Sequence, residues 1–274
     1  MMRSLWTAAS GMKSQQTSLD TISNNLANIN TAGYKKETTE FQTLLYQTIQ
    51  DTTTYSNGVQ KPIGAQVGLG VKVSAISMNM EQGELEHTEG AFDFGIQGKG
   101  FFMVEQPDGT VSYTRRGNFV MAVNNQGGLT LTTADGYAVL DSTGKPVSFD
   151  GNIDTTKLSF DEYGNILYKG EDGNAYPMGI AIGLAQFNNP SGLYKMGGSY
   201  YRESVASGAP RVEGEDENIN RSIIRNKYLE NSSVHAVDEM VDMIAISRAY
   251  ETNQKMIKTE YTVLEKASNE IGRV

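Results

Sequence analysis

Near its C-terminus the chain carries a long segment whose apolar residues recur every seven positions. Residues 215–271 contain no Gly or Pro, although the sequence holds 29 Gly and 6 Pro. One row of the repeat is Met243, Tyr250, Ile257, Leu264 and Ile271. A second row, three residues ahead, is Met240, Ser247, Gln254, Tyr261 and Ser268. Because a seven-residue repeat is typical of a helix that packs along another helix, the pattern predicts one helix over residues 234–271.

The start of this predicted helix carries the expected polar signals. Ser232 and Ser233 are candidate N-caps, and Asp238, Glu239 and Asp242 place negative charge where the helix dipole favours it. Further apolar residues lie off the two rows, at Val237, Val241, Ile244, Ile246 and Val263. One partner helix cannot cover all of them, so the sequence predicts additional neighbours for this helix.

The N-terminal segment shows the same period. Residues 12–32 contain no Gly or Pro, and Gly33 marks the end of a helix predicted to stop near Asn30. One row is Leu5, Met12, Leu19 and Leu26, and the other is Ala8, Gln15, Ile22 and Ile29. We expect the two terminal helices to pair as a coiled coil. The alternative at this stage is two amphipathic helices packed on the middle of an ordinary globular protein.

Asparagine is concentrated at the end of the first predicted helix, at Asn24, Asn25, Asn28 and Asn30. Asparagine is a mediocre helix former, so this cluster needs an explanation. The side chains are either solvated or hydrogen-bonded to neighbouring subunits.

Between the helices the pattern changes to short alternating runs separated by turns. Residues 34–214 hold all 6 Pro and every Gly except three. The runs at 100–104 and 137–140 are separated from their neighbours by turn dipeptides such as Asp108-Gly109 and Asp135-Gly136. This part is predicted to be an antiparallel meander or barrel-like β domain. Residues 41–49 fit a helix or a strand, residues 51–66 an excursion or extended hairpin, and residues 67–80 strands.

These predictions define an α+β fold in which a mainly antiparallel β domain is inserted between two paired terminal helices. The predicted segments are an N-terminal helix over 1–36, a connecting segment over 37–80, the β domain over 81–214, and a return segment with the C-terminal helix over 215–274.

Composition excludes several classes of partner and site. The chain has no Cys, which excludes disulfides, thiolate metal ligands and Cys nucleophiles. Its net charge is -9, and it has no basic stripe for a phosphate backbone, so we expect no nucleic-acid partner. No apolar run reaches about 18 residues, so we expect no membrane insertion. Residues 1–6 lack the apolar core of a signal peptide, so any export is expected to proceed without a cleaved signal.

No group of residues predicts catalysis. His87 and His235 are not accompanied by a nucleophile signature, and the glycines at 95–100 lead into a predicted strand rather than a helix. Asp150, Asn152 and Asp154 begin a calcium-loop spacing that lacks the sixth-position Gly and the twelfth-position Glu. We expect a protein that is not an enzyme and has no cofactor or metal.

Long motifs lie near both ends of the chain, at residues 9–12 and 22–35 and at residues 241–244 and 248–255. They resemble the terminal motifs of flagellar rod and hook proteins. Residues 93–102, 113–117 and 187–193 also resemble this family, so the likeness covers nearly the whole chain. Within the family, residues 44–49 and 64–71 are most similar to distal rod members.

This resemblance implies a structural subunit of the bacterial flagellar basal body. Such proteins are exported unfolded through the flagellar type III apparatus and polymerise as a helical tube around a channel. The terminal helices then line the inside, the β domain faces outward, and the connecting segment stiffens the tube for torque. The implied partners are other copies of the chain, proximal rod proteins, hook or hook-junction proteins and the export apparatus. The implied location is extracytoplasmic, in the periplasm or cell wall.

Residues of both helices are predicted to form the interface between subunits. They are Leu5, Met12, Leu19, Ile22, Asn24, Asn25, Leu26, Asn28, Ile29, Met240, Met243, Ile244, Tyr250, Ile257, Tyr261, Leu264 and Ile271. Two alternatives remain open: a hook or proximal rod subunit of the same family, and an extracytoplasmic β module that binds glycan or cell wall.

Overall fold

The computed structural model describes residues 2–50, 64–124, 127–151, 153–170, 174–214 and 220–271. Most of the predicted excursion over 51–66, and Asn152 of the calcium-like spacing, lie outside the described residues. The chain forms two units. The first contains Met1–Ala27, Glu37–Met78 and His235–Val274, and the second contains Asn28–Lys36 and Asn79–Val234. We call them the helical unit and the β unit.

The helical unit contains both helices and four strands. Its helices are α1 (Met2–Ala27) and α2 (Ala236–Ile271). Its strands are β1 (Glu37–Thr43), β2 (Tyr46–Gln50), β3 (Ala65–Gly68) and β4 (Val71–Met78). β1 pairs antiparallel with β4, and β2 pairs antiparallel with β3. Residues 41–49, which the sequence left undecided, are therefore mostly extended.

The ends of the helices differ slightly from the prediction. α1 stops at Ala27, and residues 28–30 form a turn in which Asn28 O accepts a hydrogen bond from Thr31 N at 3.1 Å. The poor helix propensity of asparagine accounts for the earlier stop. At the start of α2, His235 O accepts the hydrogen bond of Glu239 N. Because α2 begins at Ala236, the N-cap position falls on His235, and the expectation that Ser232 or Ser233 caps the helix is wrong.

The β unit contains seventeen strands among its described residues. They are β5 (Leu85–His87), β6 (Phe94–Gln97), β7 (Phe101–Glu105), β8 (Val111–Thr114), β9 (Phe119–Val123), β10 (Leu129–Thr133), β11 (Ala138–Val139), β12 (Ser148–Phe149), β13 (Leu158–Phe160), β14 (Asn165–Lys169), β15 (Ala175–Ala181), β16 (Leu184–Gln186), β17 (Tyr194–Gly197), β18 (Tyr200–Arg202), β19 (Arg211–Val212), β20 (Ile223–Asn226) and β21 (Tyr228–Glu230). Short 3-10 helices occupy Thr155–Lys157 and Pro190–Gly192.

The pairings among these strands are antiparallel. The largest sheet runs β12-β10-β11-β7-β8-β18-β17, with β9 on β10, and β16 joining β7 to β19. β13, β14 and β15 form a smaller sheet, and β20 and β21 pair with β6 and β5. Two helices with many antiparallel strands confirm the predicted α+β class.

β20 and β21 lie where the sequence division placed a return segment. Lys227, between them, has a positive φ of 62°. This left-handed residue interrupts the alternation of apolar and polar side chains, so neither strand is long enough to give a clear period of two. The β unit consequently extends to Val234, beyond the predicted limit of residue 214.

The β unit has an aromatic core. Phe94 and Phe160 pack edge to face with ring centroids 4.7 Å apart, and Phe102 and Phe119 do so at 5.0 Å. Leu131, Val139 and other aliphatic side chains complete the buried cluster. By contrast, the buried hydrophobic residues described in the helical unit are Ala8, Ile22 and Met78. The β unit therefore has its own core, whereas the helical unit buries little apolar surface by itself.

Two buried tyrosines make the β unit sensitive to alkaline pH. Burial raises the pKa of Tyr113 to about 12. Burial, followed by a hydrogen bond to Asp135 at 2.6 Å, raises the pKa of Tyr200 to about 12. An unfolded tyrosine ionises near pH 10. Between about pH 10 and 12 the folded unit holds more protons than the unfolded chain, so its stability falls as the pH rises through this range.

We expect Tyr200→Phe to weaken this pH dependence, because phenylalanine cannot ionise. The measurement is the urea-induced unfolding free energy of the β unit at pH 9 and pH 11, for wild type and variant. The decrease in unfolding free energy from pH 9 to pH 11 should be smaller in Tyr200→Phe than in wild type. Tyr194→Phe, which changes an exposed tyrosine, is the control and should leave the loss unchanged. An equal loss in wild type and Tyr200→Phe would contradict the assignment.

Candidate assembly surface

The two helices of the helical unit pack along each other in opposite directions. Asn25, near the end of α1, bonds to Glu239 near the start of α2, at 3.0 Å. Gln15, further back in α1, accepts a hydrogen bond from Asn253 Nδ2, also at 3.0 Å. A Cβ at Gly11 would lie 3.1 Å from Asn253 Nδ2, so the helices approach closely here. The chain's two ends are thus held by polar contacts as well as by apolar packing.

One predicted row of α2 faces inward and the other does not. The half-buried residues of the first row are Met243, Tyr250, Ile257 and Leu264. The second inward row is Glu239, Ile246, Asn253, Glu260 and Ala267, not the predicted row that contains Met240 and Tyr261. Three of those five residues are polar, so a search for apolar repeats selects the wrong row.

Asn25 joins three segments of the helical unit. Its side chain is 0% exposed. Its Nδ2 donates to Glu37 O at 2.8 Å and to Glu239 Oε2 at 3.0 Å, and its Oδ1 accepts from Glu37 N at 3.0 Å. These bonds tie α1 to the start of β1 and to the start of α2. The role predicted for Asn25, bonding to a neighbouring subunit, therefore differs from its observed contacts inside the chain.

Glu239 corrects a second expectation. The sequence assigned it to the solvated, dipole-stabilising residues at the start of α2, together with Asp238 and Asp242. In the structure Glu239 is buried, whereas Asp238 and Asp242 are exposed. Its position on the inward row and its bond to Asn25 account for the difference.

Four apolar residues of α2 form an exposed face that we call the outer stripe. Val237, Met240, Val241 and Ile244 are 74%, 54%, 60% and 53% exposed. Their spacing of three, four and seven places them on one side of two helical turns. Scattered single apolar residues are normal at a surface, but a contiguous stripe marks a binding face.

Other large apolar side chains of the helical unit are also exposed. They are Trp6, Phe41, Leu45, Tyr46, Ile49, Val67, Leu69, Ile76, Met256, Tyr261 and Val263. They lie on both helices, on the four strands, and in the short connections between β1 and β2 and between β3 and β4. The helical unit therefore presents much more apolar surface than its small core would allow in a stable isolated domain.

The predicted interface residues occupy several environments. Ile22 is buried, and Asn24, Met240, Ile244 and Tyr261 are exposed. Half-buried are Leu5, Met12, Leu19, Leu26, Asn28, Ile29, Met243, Tyr250, Ile257 and Leu264. The side chain of Ile271 lies outside the described residues. Their role between subunits stays a prediction, and the exposed members are the ones a neighbour can reach without rearrangement.

The β unit contains a buried group of charges that the sequence did not indicate. Glu230 Oε1 accepts from Lys35 Nζ at 2.5 Å and from Gly83 N at 3.0 Å. Glu230 Oε2 accepts from Arg115 Nη1 at 3.2 Å. Lys35 Nζ also donates to Glu81 O at 2.7 Å. We call Lys35, Arg115 and Glu230 the ion cluster, and their side chains are at most 3% exposed.

Backbone and aromatic contacts position this cluster. Arg115 Nη2 donates to Gly98 O at 2.8 Å, and the guanidinium lies 4.9 Å from the ring centroid of Phe101. Gly33 has φ 69°, and a Cβ there would lie 2.8 Å from the backbone of Arg115. Gly33 N donates to Glu230 O at 2.8 Å. The cluster thus anchors residues 28–36 to the strands of the β unit.

The cluster holds two cations and one anion. Burial lowers the pKa of Lys35 below its ordinary value, Glu230 opposes this effect, and Arg115 adds to it. A buried carboxylate with two cationic partners tolerates burial only because every neighbour is in place. Although Lys35 and Arg115 lie within motifs noted above, their pattern gives no sign of burial, because charged residues are usually exposed.

The described residues include no group of three or more His, Asp or Glu side chains arranged to hold a metal ion. In the same part of the chain, neither helix is long and apolar enough to cross a membrane.

Three family models match successive parts of the chain. Residues 5–35 match the flagella basal body rod protein family. Residues 95–168 match the D1 domain of flagellar hook protein FlgE/F/G, and residues 225–270 match the C-terminal part of flagellar basal body rod FlgEFG proteins.

Curated relatives match over nearly the full length. The flagellar basal-body rod protein FlgG of Borreliella burgdorferi is 38% identical over 98% of this chain and 98% of its own. The chain belongs to the flagellar basal-body rod protein family. Another rod-family relative, FlgG of Caulobacter vibrioides, is 38% identical over 97% of this chain and 98% of its own. FlgG of Bacillus subtilis is 34% identical over 98% of this chain and 99% of its own.

A solved structure is a more distant match. The hook protein FlgE2 of Helicobacter pylori is 18% identical, with 66% of this chain and 48% of that chain covered at a TM-score of 0.24. A score this low does not establish a shared architecture. The ion cluster joins the three segments that match the family models. Lys35, Arg115 and Glu230 each come from a different one of these segments.

Proposed function

We propose that this chain is a subunit of the distal rod, which assembles into a helical tube and transmits torque from the motor to the hook. Its rod-protein relatives identify it as a structural rod subunit of the flagellar basal body. The distal position is proposed because relatives that are 34% to 38% identical over nearly the whole chain carry the FlgG name. The proposal includes an extracytoplasmic location and no enzymatic activity.

The observation that carries the assembly proposal is the outer stripe. Four apolar side chains on one side of α2 are more than half exposed, and the same unit has few buried hydrophobic residues. Covering them with other copies would remove apolar surface from water at about 25 cal/mol per Å². A contact between two different faces that does not close builds a filament rather than a ring. In the assembled tube the paired helices are proposed to act as a coiled coil.

The ion cluster supports the torque-transmitting part of the proposal. It fixes residues 28–36, the segment that leaves α1, to the β unit through a buried carboxylate and two cations. Hydrogen-bonded polar networks in a protein interior are more rigid than exposed ion pairs, although Arg115 Nε in this one has no hydrogen-bond partner among the described residues. A rigid attachment of this segment suits a shaft that must not bend.

The proposed partners follow from the place of a distal rod in the flagellum. They are other copies of the chain, proximal rod proteins below, hook or hook-junction proteins above, and the export apparatus that delivers the unfolded subunit. A hook or proximal rod role within the same family is the competing assignment. Electron microscopy of the assembled protein separates them, since a straight tube supports the distal rod and a supercoiled flexible tube supports the hook.

We expect Val241→Glu to weaken assembly without harming the monomer. Val241 is exposed, and Glu is a better helix former than Val, so α2 should remain intact. Burying the new carboxylate between copies would cost several kcal/mol. The concentration needed for filaments should rise at least about tenfold, as measured by sedimentation and electron microscopy.

The matched control is Val205→Glu, the same change at a fully exposed residue of the β unit. It should assemble at the wild-type concentration. If Val241→Glu forms filaments at the wild-type concentration, the assembly surface does not include the outer stripe. Wild-type protein that never assembles, at any concentration, would contradict the rod proposal itself.

A further inference from the structure

The sulfur of Met196 accepts hydrogen bonds from two side chains of the β unit. Met196 lies in β17, the strand at one end of the largest sheet. Its Sδ accepts from Ser112 Oγ, in β8, at 3.8 Å. It also accepts from Nε2 of Gln106, the residue directly after β7, at 3.9 Å. Because a thioether sulfur is a weak acceptor, two donors converge on an atom that satisfies neither of them well.

The hydroxyl of Ser112 has no better acceptor nearby. Ser112 is 0% exposed, and within the described part of the chain Met196 Sδ is the only hydrogen-bond partner of its hydroxyl. A buried donor that is poorly satisfied lowers the stability of the fold. An oxygen atom bonded to Sδ would lie beside both donors and would give each of them a strong acceptor.

Oxidants can reach this sulfur, unlike those of other methionines in the β unit. Met196 is 37% exposed, whereas Met103 is 4% exposed. Met121 and Met178 pack against the aromatic core, where a polar sulfoxide would disturb apolar contacts. Of these four residues, Met196 is the one that combines access from solvent with polar neighbours for the oxidised side chain.

We propose that Met196 is a site of reversible oxidation, at which hydrogen peroxide forms a sulfoxide that Ser112 and Gln106 stabilise. A lone pair of Sδ attacks one oxygen of the peroxide, so an S–O bond forms and the O–O bond breaks. The second oxygen leaves as water with both protons, the sulfur is oxidised and the peroxide is reduced. Methionine sulfoxide reductases reverse this modification.

Oxidation at this position would fasten the edge of the largest sheet. β17 pairs with β18 at the end of the sheet, and β8 and β7 follow further inside. Hydrogen bonds from Ser112 and Gln106 to the sulfoxide oxygen would join β17 to these inner strands through side chains. The inference concerns the β unit alone, so its test requires no assembly and is independent of the rod proposal.

The test treats full-length protein with hydrogen peroxide and compares it with Met196→Leu, which cannot form this sulfoxide. Mass spectrometry of peptides should show one added oxygen on Met196. Urea unfolding of the β unit, followed by near-ultraviolet circular dichroism, gives the midpoint before and after treatment. The change on oxidation should be more favourable in wild type than in Met196→Leu by roughly 0.5 M urea. The comparison removes the effects of the other methionines, which oxidise in both proteins.

Two serine variants test the role of the donor. Ser112→Ala should reduce this difference to about half, because one of two donors is lost. Ser159→Ala, the same change at an exposed serine of the β unit, should leave it unchanged. Methionine sulfoxide reductases should remove both the oxygen and the difference. The proposal is refuted if Met196 gains no oxygen, if oxidation is no more favourable in wild type than in Met196→Leu, or if Ser112→Ala behaves like Ser159→Ala.

Discussion

Glu230→Ala is expected to destabilise the β unit by about 3–5 kcal/mol, the largest effect of any single substitution considered for its stability. The carboxylate accepts three hydrogen bonds, from Lys35, Arg115 and Gly83. Its removal leaves two cations buried with no anion, and desolvated charge without a partner is costly. The expected loss of stability exceeds the net contribution of the ion pairs, because Lys35 and Arg115 remain buried without a counter-charge.

The measurement is the free energy of unfolding from urea titrations followed by aromatic fluorescence or near-ultraviolet circular dichroism. Glu89→Ala, the same change at an exposed glutamate of the β unit, is the control and should remain within about 0.5 kcal/mol of wild type. A loss below about 1 kcal/mol in Glu230→Ala would show that the cluster is solvated or already unpaired.

When Glu230 is replaced, a second substitution that removes Lys35 should restore part of the lost stability. In Glu230→Gln the side chain keeps its size, and Lys35 loses the carboxylate that offsets the effect of burial on its pKa. The pKa of Lys35 in the folded protein then falls further. At a pH between this pKa and that of Lys35 in the unfolded chain, the unfolded chain therefore holds more protons than the folded protein. Stability of Glu230→Gln should therefore increase as the pH rises from 7 to 9. Adding Lys35→Met should raise stability at pH 7 and remove this pH dependence.

Asn25→Ala is expected to destabilise the helical unit by about 3 kcal/mol. The amide of Asn25 serves Glu37 N, Glu37 O and the carboxylate of Glu239. Without it, the backbone of Glu37 and the carboxylate of Glu239 lose these hydrogen bonds, and such a loss at a buried position costs about 1–3 kcal/mol. Because Glu37 begins β1 and Glu239 lies in the first turns of α2, the loss should loosen both helices and the first strand together.

Thermal unfolding of the helices, followed by circular dichroism at 222 nm, measures this effect. Asn30→Ala, which truncates an exposed asparagine in the turn after α1, is the control and should leave the melting temperature nearly unchanged. A similar melting temperature for Asn25→Ala and Asn30→Ala would mean that the asparagine cluster acts only as solvated surface.

The sequence predicted the helices well because their information is local. A seven-residue period over more than thirty residues and the absence of Gly and Pro locate α2 to within two residues. The second inward row could not be found in the same way, because Glu239, Asn253 and Glu260 are polar. Their burial depends on the residues of α1 that face them, such as Asn25 and Gln15. The seven-residue period does not show which residues of the two helices face each other.

The ion cluster lies beyond any local pattern. Lys35, Arg115 and Glu230 are separated by 80 and 115 positions in the chain, and they meet only when distant strands pair. A charged residue read alone is expected at the surface, which is correct for most of the other acidic residues of this chain. The family resemblance drew attention to the segments that contain Lys35 and Arg115, but the contact between them exists only in the folded chain.

The most direct test of the central claim, that other copies cover the exposed stripe of α2, is oxidative footprinting of methionines in soluble and assembled full-length protein. Met240 lies in the stripe and is 54% exposed, whereas Met196 lies in the β unit and is 37% exposed. Assembly should protect Met240 from oxidation severalfold and leave Met196 reactive. Equal oxidation of Met240 in monomers and filaments would show that the stripe stays open to water and would contradict the account.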